Sequence, residues 1–316
     1  MKRGAWAWAR LGGAAAVLAV LVWRVGTGPF IDGVRALSAS SLLAAIAITA
    51  LTTVCCAGRW RVVAQRLGVS LSMPSAIAGY YRSQFLNSVL PGGVLGDVHR
   101  GVRHGQDSDD VGRALRAVAW ERSAGQLVQV VLAVLILLVA PSPVRSWMPW
   151  IVAASVAGAL LLFVGFRALP HNGQSRISRA VRLIRTDVHA ALLDRRAWPA
   201  IFATSVIAAA GHTVVFLIAA RTFAPSTSLG RLLPLAMLIV LATSLPLNIG
   251  GWGLREGAAA WVFGAAGLGV DNGVSAAAAY GVMAFAATLP GAVVLFAGWL
   301  RRSRPFASHL RGVAHG

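Results

Sequence analysis

Six apolar runs limit what this chain can fold into: Leu11–Val25, Ser38–Ala57, Leu115–Ala140, Trp147–Phe166, Trp198–Ala220 and Ser275–Leu300. Each approaches or exceeds the roughly 20 residues that carry a helix across the hydrocarbon core of a bilayer. A soluble domain needs far more polar surface than a chain that is 57% hydrophobic and only 12% charged. The reading is an all-α polytopic membrane protein, a single integral membrane domain over residues 1–316.

The net charge of +19 does not point to nucleic acid. The arginines cluster at the ends of apolar runs, as membrane topology requires. Arg59, Arg61 and Arg66 after the second run mark the cytoplasmic side, as do Arg100, Arg103, Arg113 and Arg116, and Arg301, Arg302, Arg304 and Arg311 at the end. Lys2, Arg3 and Arg10 before the first run resemble a secretory signal, but no small-x-small cleavage site follows. The run is therefore expected to stay as the first span, with both termini cytoplasmic in a bacterial inner membrane. The loop to residue 37, with Arg24, Asp32 and Arg35 nearly balanced, is expected outside. Most tryptophans (Trp6, Trp8, Trp23, Trp147, Trp150, Trp198, Trp299) sit near run ends, as an interfacial belt does. Cys55 and Cys56 are adjacent and cannot easily bridge; they read as small buried residues, and no metal or cofactor pattern occurs.

Two stretches break the rules of a membrane helix. The first, within residues 74–104, is a polar helix from Met73 to Val89 that runs into Leu90-Pro91-Gly92-Gly93-Val94-Leu95-Gly96-Asp97-Val98-His99-Arg100. The second, within 232–268, is Leu245-Pro246-Leu247-Asn248-Ile249-Gly250-Gly251-Trp252-Gly253-Leu254-Arg255-Glu256-Gly257. Both read Leu-Pro, glycines, then an acid and an arginine. Proline removes a backbone donor and glycine loosens the chain. Irregular backbone at membrane depth is tolerated only against protein or a water-filled cavity. Arginines flank the first break on both sides, so it reads as a re-entrant hairpin from the cytoplasm. The second, between Leu232–Leu245 and Gly257–Leu268, reads as an opposed hairpin or as two full spans. The expected count is about six spans plus two opposed hairpins, or eight spans. Paired Gly/Pro-interrupted segments in opposite halves point to an inverted-repeat transporter.

Between these motifs lies a basic loop, 167–197. Arg176, Arg179, Arg182 and Arg185 alternate there with Ile177, Val181, Ile184 and Val188. It reads as an amphipathic surface helix facing anionic headgroups, or as an ordinary positive-inside loop.

Residues 84–105, from Gln84-Phe85-Leu86-Asn87 through Leu90-Pro91-Gly92-Gly93 to Gly96-Asp97-Val98-His99-Arg100, resemble the first signature of the lysylphosphatidylglycerol synthase transmembrane-region (flippase-like) family. Trp120-Glu121-Arg122 is similar to its Glu-Arg pair, and Leu245–Gly257 to its second signature. The resemblance covers most of the chain. It implies a membrane domain related to the lipid-flipping half of the multiple peptide resistance factor. Because the chain ends soon after its last apolar run, the synthase activity of longer members is not expected. One departure is Asp97, where the family signature more often carries Glu.

Charge inside a membrane is costly and marks function or pairing. Arg100, Arg122 and Arg255 are expected to engage a lipid phosphate, with Asn87, Asn248 and Trp252 beside the substrate. Asp97, Glu121 and Glu256 would hold those arginines or take a proton. Pro91, Gly92, Gly93, Gly96, Pro246, Gly250, Gly251 and Gly253 form the breaks, where half-helix N-termini add donors. The rival reading is buried ion pairs that merely tie hairpins to the bundle. His99 and His104 read as headgroup-level polar residues, and His212 as a satisfied interhelical bond. No catalytic constellation and no Gly-x-x-x-x-Gly-Lys-Ser/Thr loop occurs. The expected function is therefore a flippase-like lipid transporter. The alternatives are a membrane partner of a synthase or glycosyltransferase and, further off, an embedded lipid-phosphate enzyme. Single cysteines at Asn172 and Ser303 are expected to be labelled from the cytoplasmic side only; labelling from outside would overturn this topology.

Overall fold

A computed structural model describes Trp23 and residues 27–90, 93–168, 175–245 and 252–303. The first expected span, Leu11–Val25, lies outside those residues except for Trp23. Pro91, Gly92, Pro246, Asn248, Gly250 and Gly251 also lie outside them.

Every regular element among the described residues is helical. In chain order they are α1 (Gly28–Arg35), α2 (Ala39–Arg66), α3 (Met73–Val89), α4 (Leu95–Asp107), α5 (Val111–Val139), α6 (Met148–Ala168), α7 (Arg176–Asp187), α8 (Trp198–Phe223), α9 (Leu229–Thr243), α10 (Leu254–Ala265) and α11 (Val270–Ser303). Among the described residues five helices are long and apolar enough to cross a membrane: α2, α5, α6 with its preceding turn, α8, and α11 from Val270 to Gly298. They correspond to the second through sixth apolar runs. The chain is a multi-pass α-helical membrane protein.

Local sequence accounts for where these helices begin. Ser38 accepts a hydrogen bond from the Ser41 N–H and so caps α2. Ser72 does the same for α3 through Ser75, with Pro74 in the first turn. Asp110 caps α5 by accepting from the Arg113 N–H.

The structure departs from the sequence reading in two places. Residues 28–35, expected as an outer loop, form the short helix α1. Pro29 starts it, and Gly33 lies so close to α11 that an added Cβ would be 2.4 Å from the Ser275 carbonyl oxygen. The second span does not stop at Ala57 but continues to Arg66. Arg59, read as a cytoplasmic marker, is therefore inside a helix and buried. Its guanidinium pairs across the bundle with Glu121.

Alanine and other small residues dominate the core. One cluster joins α2, α8, α9, α10 and α11 around Phe216, Leu235, Ile239, Phe263 and Ala277; the other joins α2, α3, α5 and α8 around Trp60, Val63, Ala117 and Ile201. Lipid tails are as apolar as leucine, so helices in a membrane gain by close van der Waals approach, which small residues allow. The α3–α11 crossing shows this. At Gly291 an added Cβ would lie 2.2 Å from the Tyr81 carbonyl oxygen. By contrast, α6 exposes Trp150, Leu161, Leu162 and Val164 and touches little besides α5. Gly291→Leu is expected to destabilise the fold by about 1–3 kcal/mol, the usual cost of overpacking. A lower melting temperature in detergent would register it, and an unchanged melt would refute the crossing.

Candidate functional site

The first broken stretch is organised by α3 turning back onto α4. The Asn87 side chain spans the turn: its Oδ1 accepts the Gly96 N–H at 2.8 Å, and its Nδ2 donates to Asp97 Oδ2 at 3.0 Å. Only a glycine fits at 96, since a Cβ would lie 2.1 Å from the Ser83 carbonyl oxygen. Asp97 is thereby delivered to the buried end of α4, in its first turn, where a carboxylate also suits the helix dipole.

A carboxylate offers about four acceptor positions, and Asp97 uses them all. Oδ1 accepts from Ser83 Oγ and Arg100 Nη2, both at 2.9 Å. Oδ2 accepts from Asn87 and from Arg122 Nη2. Glu121, fully buried on α5, is equally occupied. Its Oε1 accepts from Arg59 Nε at 2.9 Å, Arg59 Nη2 at 2.6 Å and Tyr80 Oη at 3.2 Å, and its Oε2 accepts from Arg100 Nη2 at 3.0 Å. Arg59 completes its own set by donating to Ser205 Oγ on α8 at 2.9 Å. Gly125 provides the room, because a Cβ there would be 2.6 Å from Arg59 Nη2. One connected network thus ties α2, α3, α4, α5 and α8. Arg59, Arg100 and Arg122 face two carboxylates, which leaves one positive charge over.

The three arginines differ in what they have left to give. Arg100 is 0% exposed, its guanidinium carbon 4.5 Å from the Trp60 ring centroid and 4.3 Å from that of Tyr80. Nε and Nη1 have no hydrogen-bond partner there and lie between π faces, which favour a cation. Arg100 was expected at a lipid phosphate; enclosed by Trp60, Tyr80 and the two acids, it has no surface on the cavities described next. Arg122 is the opposite case. Among the described residues its only hydrogen bond is to Asp97, and its side chain is 48% exposed.

Arg122 lines three neighbouring cavities. One, of about 240 Å³, is bounded by Arg59, Gln84, Gln126, Gln129, Ser205 and His212. A second, of about 260 Å³, is bounded by Gly93, Asn87, His212, Tyr280 and Thr288, and by Arg255 from the second broken stretch. The third is an apolar groove opening sideways. The two broken stretches, more than 150 residues apart in the chain, therefore meet at one cavity.

Arg255 is 5% exposed and donates from Nε to Glu256 Oε1 at 2.8 Å. Glu256, fully buried, also accepts the Gly253 N–H at 2.7 Å through Oε2. Gly253 caps α10 with φ +107°, a conformation L side chains rarely adopt. The Arg255 guanidinium lies 5.0 Å from the Trp252 ring centroid and 5.6 Å from that of Tyr280. Gly281 makes space for it, since a Cβ there would fall 2.2 Å from Nη2. The two clusters share their parts: arginines held by buried carboxylates, aromatic rings over one guanidinium (Arg100, Arg255) and a glycine that makes room for one (Arg59, Arg255).

Residues 7–309 match the family model described as lysylphosphatidylglycerol synthase TM region. The chain belongs to that family. Comparison with curated proteins and with solved structures gives no match. Membership in this family makes the chain a membrane domain of the kind associated with lipid-related functions, and the matched region is the transmembrane part alone.

Several site residues were missed in the sequence. Arg59 passed for a topology marker and Tyr80 for one polar group among several. A signal was present for Arg59: Thr49, Thr52, Thr53 and Cys56 precede it at steps of three or four, and all four are buried, so a polar stripe on α2 leads to it. His212 was expected to be satisfied by an interhelical bond. Instead it lines two cavities and has no hydrogen bond to a described residue. Among the described residues no group of three or more His, Cys, Asp or Glu is placed to hold a metal.

Glu121→Gln leaves Arg59 and Arg100 short of countercharge in a buried place. Breaking a buried pair from one side costs about 3–5 kcal/mol. The expected result is a large loss of folded protein and melting temperature, with Arg122→Gln much milder because that side chain is half exposed. Equal melts for the two variants would contradict the ordering.

Proposed function

We propose that this chain is a flippase-like lipid transporter. It moves an anionic or aminoacylated phospholipid, or a polyprenyl-phosphate lipid, between the leaflets of a bacterial cytoplasmic membrane. The observation that carries the reading is the cavity shared by Arg122 and Arg255, which lies among membrane helices and joins the two broken stretches.

The chemistry supports a phosphate ligand. A guanidinium presents donors in a fork that matches phosphate oxygens. Arg122 and Arg255 keep nitrogens that no described residue occupies, and the surrounding Asn87, Gln84, His212, Tyr280 and Thr288 add polar partners for a headgroup. The surplus positive charge of the neighbouring network makes the cavity attractive to an anion. Asp97 and Glu256 hold these arginines in place rather than compete for the ligand, because their acceptor positions face protein donors. Arg100 and Arg59 then belong to the frame that positions Asp97 and Glu121. The first broken stretch acts as a re-entrant hairpin, and the second as an opposed hairpin or as two full spans, each placing its arginine at the headgroup. Trp252 does not line the cavity; its ring backs the Arg255 guanidinium.

Leaflet-resolved lipid movement in proteoliposomes of the purified chain tests this. Anionic, aminoacylated and polyprenyl-phosphate lipids would be compared. Selective movement of one class is expected, and Arg122→Ala, Arg255→Ala and Glu256→Ala should each slow it by about tenfold or more, the loss of one charge-assisted contact at about 1.5–3 kcal/mol. Unchanged movement in both arginine variants would sink the site assignment. Movement of no lipid by folded protein would sink the transporter reading.

A further inference from the structure

The third cavity on Arg122 is unlike the other two. It is a groove of about 720 Å³ between α4, α5 and the end of α9. Its walls are mostly apolar: Val98 from α4, Leu115, Val118, Leu127 and Val130 from α5, and Leu245 beyond α9. Val98, Leu127 and Leu245 are about half exposed or more, so the groove opens sideways, away from the helix bundle. At its inner end the lining changes abruptly to Asp97, Arg122, Gln126 and Ser244, and all four also line the polar cavity behind.

A seam between α5 and α9 separates groove from cavity. Gln126 Nε2 donates to Ser244 Oγ at 2.8 Å, and Gln129 Nε2 to the Val240 carbonyl oxygen at 3.3 Å. Interhelical hydrogen bonds of this kind are individually weak in a bilayer. Exposed apolar surface alone says little in a membrane protein; α6 presents it along its whole length. Concavity that ends on an arginine is different. An apolar trough with a guanidinium at its inner end is complementary to one class of molecule, an amphiphile with a phosphate at one end and a long hydrocarbon at the other.

We propose that this groove seats the acyl or prenyl chain of a phosphate-bearing lipid while Arg122 holds the phosphate, so that the bound lipid straddles the α5–α9 seam with its tail still in the hydrocarbon layer. The proposal rests on the transporter reading for the identity of the ligand. It adds where the tail lies and which helices bound it. It also gives Gln126 a role: its amide, donated to Ser244 Oγ, holds α5 to α9 beside the point where the lipid passes Arg122. Ser123, exposed and in the middle of the groove one residue from Arg122, is the position at which a large side chain would block the tail without touching the cavity.

The test uses the full chain in lipid nanodiscs that contain a phospholipid with a photoactivatable diazirine in its acyl chain. Cross-linked peptides are mapped by mass spectrometry. Labels are expected to concentrate on residues 94–98 and 115–130, above the level on the equally exposed Leu160–Val164 of α6. Ser123→Trp should cut the groove labels and the rate of lipid movement by about tenfold, in the range of an overpacked contact. Binding of the deacylated, water-soluble headgroup, glycerophosphoglycerol, should survive in Ser123→Trp and be lost in Arg122→Ala. Labels spread evenly over the groove and α6, or Ser123→Trp with wild-type labelling and movement, would overturn the groove while leaving the transporter reading standing. Arg122→Ala with normal headgroup binding and normal lipid movement would instead remove the transporter reading's site, and the label map would still decide for or against the groove.

Discussion

The whole first half of the molecule depends on the Glu121 carboxylate. It is completely buried, yet it meets two arginines and a tyrosine from three other helices. A lone carboxylate could not remain ionised there, and without it Arg59 would be buried with no countercharge and Arg100 with Asp97 alone; each side makes the other tolerable. The result is directional where apolar packing is not. Alanine-rich faces let helices slide or rotate at little cost. A network that must place five side chains within hydrogen-bond distance admits one arrangement of α2, α3, α4, α5 and α8. Ser205 extends it to the central helix α8, which also joins both apolar clusters.

The same architecture separates two kinds of arginine. Arg59 and Arg100 belong to the frame: each nitrogen of Arg59 donates to a buried partner, and Arg100 is closed in by Trp60 and Tyr80. Arg122 and Arg255 are anchored by one carboxylate each and keep donors toward a cavity. A guanidinium held from behind loses little further freedom when it takes a ligand, so the frame pre-organises the pair that faces the headgroup. Glycines at 125 and 281 serve this division by giving Arg59 and Arg255 the space a methyl group would occupy. The apolar groove that ends on Arg122 extends the logic to the other end of the ligand.

Much of this was legible in the chain. The five described spans fall where the apolar runs predict them, and α3 begins and ends at the residues expected, Met73 and Val89. Helix α3 ends at Val89 and α9 at Thr243, just ahead of the Leu-Pro-glycine stretches, and Asp97, Arg100, Arg255 and Glu256 beyond them are buried. What stayed hidden has a common cause. Arg59 follows an apolar run at the distance expected of a topology marker, and only Glu121, 62 residues later, reveals that it is an interior residue. Arg100 and Arg122 are indistinguishable as letters; that one is sealed between aromatic rings and the other faces open space depends on Trp60 and Tyr80, which belong to other helices.

Composition, run length and the position of helix breakers therefore determined the class of protein, the five described spans and the ends of α3 and α9, because each of these is set by the bilayer or by local backbone sterics. Which arginine holds the frame and which faces the cavity, and that Gly93 and Arg255 line one cavity, only the tertiary structure decided. The reason is that a charge's role in a low-dielectric interior is set by its partners across space, and those partners lie on helices that the chain brings together only when it folds.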